Sequence, residues 1–105
     1  MKAVILAGEE ETRLRPLSIG RPKSMVPLLG RPILEHTVRL LRSQGITEIG
    51  VSLYVRPESV MDYFGGGEAQ GVQLTFFVEE EPLGTAGSLK SCAAWLGGED
   101  FLVIK

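Results

Sequence analysis

Four short apolar blocks, separated by stretches with helical spacing, constrain this chain most. Lys2 to Leu6 is a continuous apolar run closed by Gly8 and reads as a fully buried strand. Glu48 to Tyr54, Val72 to Val78 and Asp100 to Ile104 read as three more strands. Between the first two, Ile33, Leu34, Thr37, Val38, Leu40 and Leu41 recur at helical spacing. Pro32 suits the first turn of that helix and Gly45 its end. Pro57 to Phe64 reads as a short helix stopped by Gly65-Gly66-Gly67. Thr85 to Leu96 reads as a third helix, with Leu89, Cys92, Ala93 and Leu96 on one face and Gly97-Gly98 as its stop. Strands that alternate with helices demand right-handed crossovers and a mostly parallel sheet of about four strands, an α/β architecture.

In a sheet of that kind the ligand site lies beyond the carboxyl ends of the strands. Residues 8–18, 55–57 and 79–84 follow strands and are expected to share that edge. Residues 9–31, punctuated by Pro16, Gly20, Pro22, Pro27 and Gly30, are expected to be mostly loop.

The chain has 105 residues, enough for one domain, taken as residues 1–105. A net charge of -2 carries no electrostatic footprint for nucleic acid or an anionic membrane. No apolar run reaches the roughly 20 residues that span a bilayer, and the first apolar stretch is too short for a signal-peptide core. A single cysteine, Cys92, excludes an internal disulfide and fits a reducing cytoplasm.

The loop after the first strand reads Leu6-Ala7-Gly8-Glu9-Glu10-Glu11-Thr12-Arg13-Leu14-Arg15-Pro16-Leu17. Arg21-Pro22-Lys23-Ser24-Met25-Val26-Pro27 and Gly30-Arg31-Pro32-Ile33-Leu34 follow. Together they resemble the signature of the sugar-nucleotide pyrophosphorylases, the NTP:sugar-1-phosphate nucleotidyltransferases. Glu79-Glu80-Glu81-Pro82-Leu83-Gly84-Thr85-Ala86-Gly87 resembles the nucleoside-contacting segment of that family, in wording closest to its mannose-1-phosphate guanylyltransferase branch. The resemblance covers essentially the whole chain.

The resemblance implies a Rossmann-like three-layer sandwich and a transfer from a nucleoside triphosphate to a sugar 1-phosphate. It implies nucleotide contacts from Leu6, Ala7, Gly8, Thr12 and Arg13, and from Glu80, Pro82, Gly84 and Thr85. Arg13 and Lys23 are its implied catalytic cations. A triphosphate needs backbone N–H groups and cations around it, and a planar guanidinium clamps phosphate oxygens in pairs. The reaction is positioning and charge neutralisation, assisted in the family by Mg²⁺.

Two departures stand out. The family's glycines at positions 9 and 11 are Glu9 and Glu11. Each adds bulk and negative charge where a triphosphate would lie, and like charges ~4 Å apart cost roughly 1–4 kcal/mol. The run could instead add a helical turn pairing Glu10 with Arg13 and Glu11 with Arg15. Three adjacent glutamates in an extended loop cannot all face one ion, so they make a poor metal site. The family's fourth strand leads into a Gly-Asp pair whose aspartate holds Mg²⁺; Phe101 to Lys105 carries none, and Asp62 and Asp100 are poor substitutes. No metal is therefore expected in this chain, and catalysis by it alone is not expected. The competing reading is a non-catalytic regulatory or folding module of the same ancestry. A short parallel sheet leaves an edge or face uncovered, so a homo-oligomer is expected. His36 is expected at the surface, Cys92 in the core, and Tyr63 and Trp95 as packing residues.

Overall fold

The computed structural model describes residues 1–7, 25–54, 57–81 and 84–104. Four parallel strands form the sheet: β1 (Lys2–Ala7), β4 (Glu48–Leu53), β5 (Gln73–Val78) and β6 (Phe101–Ile104), in the order β5-β4-β1-β6. β1 pairs with β4 from Lys2↔Glu48 to Ala7↔Leu53 and with β6 from Lys2↔Phe101 to Ile5↔Ile104. A two-stranded antiparallel hairpin, β2 (Pro27–Leu28) and β3 (Arg31–Pro32), precedes the first described helix.

The helices are α1 (Ile33–Ser43), α2 (Pro57–Phe64), α3 (Gly84–Ser91) and α4 (Ala93–Leu96), with a 3-10 turn at Glu68–Gln70. α1 and α2 cover one sheet face and α3 and α4 the other, so the sandwich has three layers. The period of two in β1 sorts its side chains. Ala3 and Ile5 face Leu34, Val38, Leu41, Val60 and Phe64, whereas Val4 and Leu6 face Cys92 and Leu96.

The second face is filled by aromatic packing. Phe77 and Trp95 meet edge to face at 5.8 Å, and a Cβ at Gly50 would lie 3.0 Å from both rings. Gly50 is therefore set by close approach, in a central strand where glycine otherwise weakens the ladder. The Lys2 Nζ lies 5.0 Å from the Trp95 ring centre, donates to the Trp95 carbonyl at 2.6 Å and pairs with Glu99 at 3.1 Å.

Four local expectations are corrected. Pro32 lies outside α1: its ψ of 145° is extended and it caps the helix. Leu40 is exposed, and the buried stripe of α1 is Leu34, Glu35, Val38 and Leu41. The expected helix from Thr85 to Leu96 begins at Gly84 and breaks at Cys92, whose φ and ψ of -91° and -4° separate α3 from α4; Ala93 is exposed. Within the expected loop 9–31, the hairpin strands at 27–28 and 31–32 add regular structure; residues 8–24 lie outside the described residues.

Candidate functional site at the carboxyl edge of the sheet

All four strands run parallel, so Ala7, Leu53, Val78 and Ile104 end on one edge. α3 follows β5 and begins at this same edge, and it touches β1. The end of β1 and the start of α3 thus lie on the edge where an α/β sheet binds its ligand.

At the end of β1, Leu6 is buried against Cys92 and Leu96, so its side chain belongs to the core. Ala7 is half-buried beside it. Gly8, Thr12, Arg13, Lys23 and Pro82 lie outside the described residues, as do Glu9, Glu10, Glu11 and Arg15. Gly84 has φ of +72°, a backbone conformation that only glycine adopts without strain, and the space a Cβ would occupy there is open. Thr85, next along α3, is half-buried.

Sequence reasoning singled out Glu80, which is exposed. The inward carboxylate is its neighbour Glu79, only 6% exposed. The Glu79 N–H donates to the Leu53 carbonyl at 2.7 Å, extending the ladder past β5, and Oε2 accepts from the Ser88 hydroxyl at 2.5 Å. The signal was available: Phe77 and Glu79 are two apart, so Glu79 continues the inward period of β5. Cys92 is fully buried as expected, and burial pushes its thiol up, with the Glu79 carboxylate adding to the shift. It is a core thiol, poorly suited to act as a nucleophile. Ser52, fully buried and two residues before Tyr54, has a hydroxyl without a hydrogen-bond partner.

The hairpin that follows the Lys23 segment is pinned to α1. The Ile33 N–H donates to the Val26 carbonyl at 3.0 Å, and His36 Nε2 donates to the Leu28 carbonyl at 2.6 Å. His36 is thus half-buried and engaged. Glu35 is a second buried carboxylate that sequence reasoning missed. It accepts from the Tyr63 hydroxyl at 2.6 Å and Arg39 Nε at 2.8 Å, and lies 3.5 Å from Arg31 Nε. Arg39, at i+4, reaches it along the face of α1, and Arg31 reaches it from β3 in the hairpin. The Tyr63 hydrogen bond, with help from both arginines, holds the Glu35 carboxyl below its usual range against the opposing effect of burial. The Glu35 carboxylate raises the Tyr63 phenol in return. Tyr63 therefore does more than pack, although its ring also meets Phe64 edge-on at 4.9 Å.

Among the described residues, no group of three or more His, Cys, Asp or Glu side chains is placed to hold a metal ion. No helix there is long and apolar enough to cross a membrane.

Comparison with known proteins adds to this geometry. The nucleotidyl transferase family matches residues 2–105. The chain is 44% identical over 101 residues to a mannose-1-phosphate guanyltransferase of Debaryomyces hansenii, covering 95% of this chain and 28% of that protein. It is 38% identical over 104 residues to the low-salt glycan biosynthesis nucleotidyltransferase Agl11 of Haloferax volcanii, covering 98% of this chain and 29% of that protein. The crystal structure of HddC from Yersinia pseudotuberculosis superposes with a TM-score of 0.87 at 34% identity, over 98% of this chain and 46% of that one. HddC has also been solved in complex with GMP-PN. The chain thus spans under a third of the length of these curated relatives.

Proposed function

The chain belongs to the nucleotidyl transferase family, and on that premise we propose that it is the nucleotide-binding part of a sugar-1-phosphate nucleotidyltransferase. The reaction of the whole enzyme is NTP plus sugar 1-phosphate to NDP-sugar plus pyrophosphate. A phosphate oxygen of the sugar phosphate attacks the α-phosphorus. The bond from that phosphorus to the bridging oxygen breaks, and pyrophosphate leaves with the electron pair. The observation that carries this reading is that β1 ends and α3 begins on one edge of the sheet, with α3 packed against β1.

On this reading Ala7, Gly8 and Thr12 present backbone to the nucleotide, and Gly84 and Thr85 border the nucleoside with little bulk. Glu80 and Pro82 flank it. Arg13 clamps phosphate oxygens, and Lys23 neutralises charge at the attacked phosphate or on the sugar phosphate. Mg²⁺, the divalent ion this chemistry calls for, would supply further neutralisation of the triphosphate. The two buried carboxylates, Glu79 and Glu35, are spent on Ser88 and on Tyr63 and Arg39, and among the described residues no group of three or more His, Cys, Asp or Glu is placed to hold the ion.

Glu9 and Glu11 work against a triphosphate, so this chain binds nucleotide weakly and does not turn over by itself. The test is calorimetric titration of GTP and dTTP, with Mg²⁺, into the chain and into a Glu9→Gly, Glu11→Gly version. Removing two opposing charges should strengthen binding by at least tenfold, with the guanine nucleotide ahead, as the names of the relatives suggest. Equal affinity of the two versions would sink the phosphate-cradle account.

A second reading, a non-catalytic module that acts by self-association in the cytoplasm, draws support from β6. Phe101, Leu102 and Val103 are consecutive, apolar and more than a third exposed.

A further inference from the structure

The Glu35 carboxylate lies outside the chemistry assigned so far, and it sits where three elements meet. Oε1 accepts from the Tyr63 hydroxyl of α2 at 2.6 Å. Oε2 accepts from Arg39 Nε of α1 at 2.8 Å and lies 3.5 Å from Arg31 Nε of β3. Glu35 is 3% exposed, yet its cover is thin, since Arg31, Arg39 and Tyr63 are each about half exposed. Ion pairs half open to water add little stability. What the carboxylate supplies is direction, because each oxygen fixes the place of the donors it accepts from.

The hairpin needs that direction. Its turn residues Leu29 and Gly30 have φ of +53° and +81°, a conformation that leucine adopts only under strain. Leu29 is 89% exposed and Leu28 half exposed, so apolar packing does not hold the tip. The described polar attachments come from the first turns of α1: the Ile33 N–H on the Val26 carbonyl, His36 on the Leu28 carbonyl, and Glu35 on Arg31. Glu35 also reaches α2, which begins at the same carboxyl edge after β4.

Holding β3 holds β2, because Leu28 pairs with Arg31 and Pro27 with Pro32. From β2 the sequence leads back through Val26, Met25 and Ser24 to Lys23. We infer that Glu35 is a positioning residue: by tying Arg31 of the hairpin to Tyr63 of α2, it keeps the strand that leads back to Lys23 in place at the nucleotide edge. The carboxylate touches no substrate and acts through the hairpin. This role rests on Lys23 neutralising phosphate charge, as proposed above.

The test is a double-mutant cycle on GTP affinity, measured by calorimetry with Mg²⁺ in the Glu9→Gly, Glu11→Gly version of the full chain. Glu35→Gln keeps the size and removes the charge. It should weaken GTP by about fivefold or more, but by less than about twofold once Lys23→Ala is present, because positioning has no value without the group positioned. Tyr63→Phe, which cuts the link to α2 alone, should act in the same direction with a smaller loss, and it serves if Glu35→Gln does not fold. Val38→Ala opens the core under the same helix; it should lower the urea midpoint and leave the GTP affinity of the folded protein unchanged. Amide exchange at Ile33, whose N–H holds the Val26 carbonyl, should quicken in Glu35→Gln beyond what the change in global stability accounts for. Four results would each overturn the role: GTP affinity unchanged in folded Glu35→Gln, a loss that persists in full beside Lys23→Ala, an equal loss in Val38→Ala, or Ile33 exchange that follows global stability alone. A Lys23→Ala variant that binds GTP as tightly as its parent, or a parent that binds none, fails the nucleotide reading itself, and the role falls with it.

Discussion

The Ser88 hydroxyl donates to Glu79 Oε2 at 2.5 Å, joining the middle of α3 to the end of β5, with 5% and 6% of the two residues exposed. Glu79 also holds the Leu53 carbonyl through its own N–H at 2.7 Å. One residue thus fixes both the last rung of the sheet and the seat of the helix that begins with Gly84 and Thr85. Ser88→Ala leaves a buried carboxylate without its side-chain donor and should lower stability by about 1–3 kcal/mol. Glu79→Gln in the Ser88→Ala background should recover part of that loss, because the neutral amide is cheaper to bury. Urea denaturation with a midpoint unchanged in Ser88→Ala would show that the contact carries no energy.

Glu35 makes stability depend on acid. Its folded value lies below its ordinary 4.5, chiefly through the Tyr63 hydrogen bond. The sign follows from proton uptake: the unfolded chain protonates first as the pH falls. The contribution is therefore complete above about 4.5 and is lost as the pH drops through the lower folded value. Glu35→Gln should flatten the stability profile in that window, and Tyr63→Phe should move the loss to higher pH. Denaturant midpoints taken across the acid range decide it; a profile for Glu35→Gln parallel to that of the parent would contradict the assignment. At the alkaline end, Tyr63 is raised above its ordinary 10.0, so its share is present below that value and lost as the pH climbs through the folded one.

β6 pairs with β1 on one side and forms one edge of the sheet. Phe101, Leu102 and Val103 are 39%, 42% and 37% exposed. Successive strand residues point to opposite faces, so this apolar surface wraps the edge, the arrangement that invites pairing with another chain. Self-association that grows with concentration is the expected behaviour, weakened by Val103→Lys. Sedimentation velocity resolving only monomer over a wide concentration range would count against it.

The alternation of apolar runs and helical spacing was sufficient for four mostly parallel strands with helices between them, while the three layers came from the family resemblance. That much is local: periodicity, proline and glycine punctuation, and the handedness of crossovers leave few alternatives. Pairing partners are not local. The period of two from Phe77 offers Glu79 as inward and Glu80 as outward, but nothing in the run of charge says that Ser88 covers the first, because that depends on how α3 docks on the sheet. The glycine at position 50 is likewise legible only once Phe77 and Trp95 have been packed over the sheet. Glu35 is the clearest case. Helical spacing alone put Arg39 beside it, whereas Arg31 came with the hairpin and its bond to Tyr63, 28 residues away, came from the docking of α2 on α1. The sequence by itself determined the architecture, since hydrophobic period is a one-dimensional property. Only the tertiary structure decided which polar groups are sealed from water, since that depends on what other elements bring to cover them.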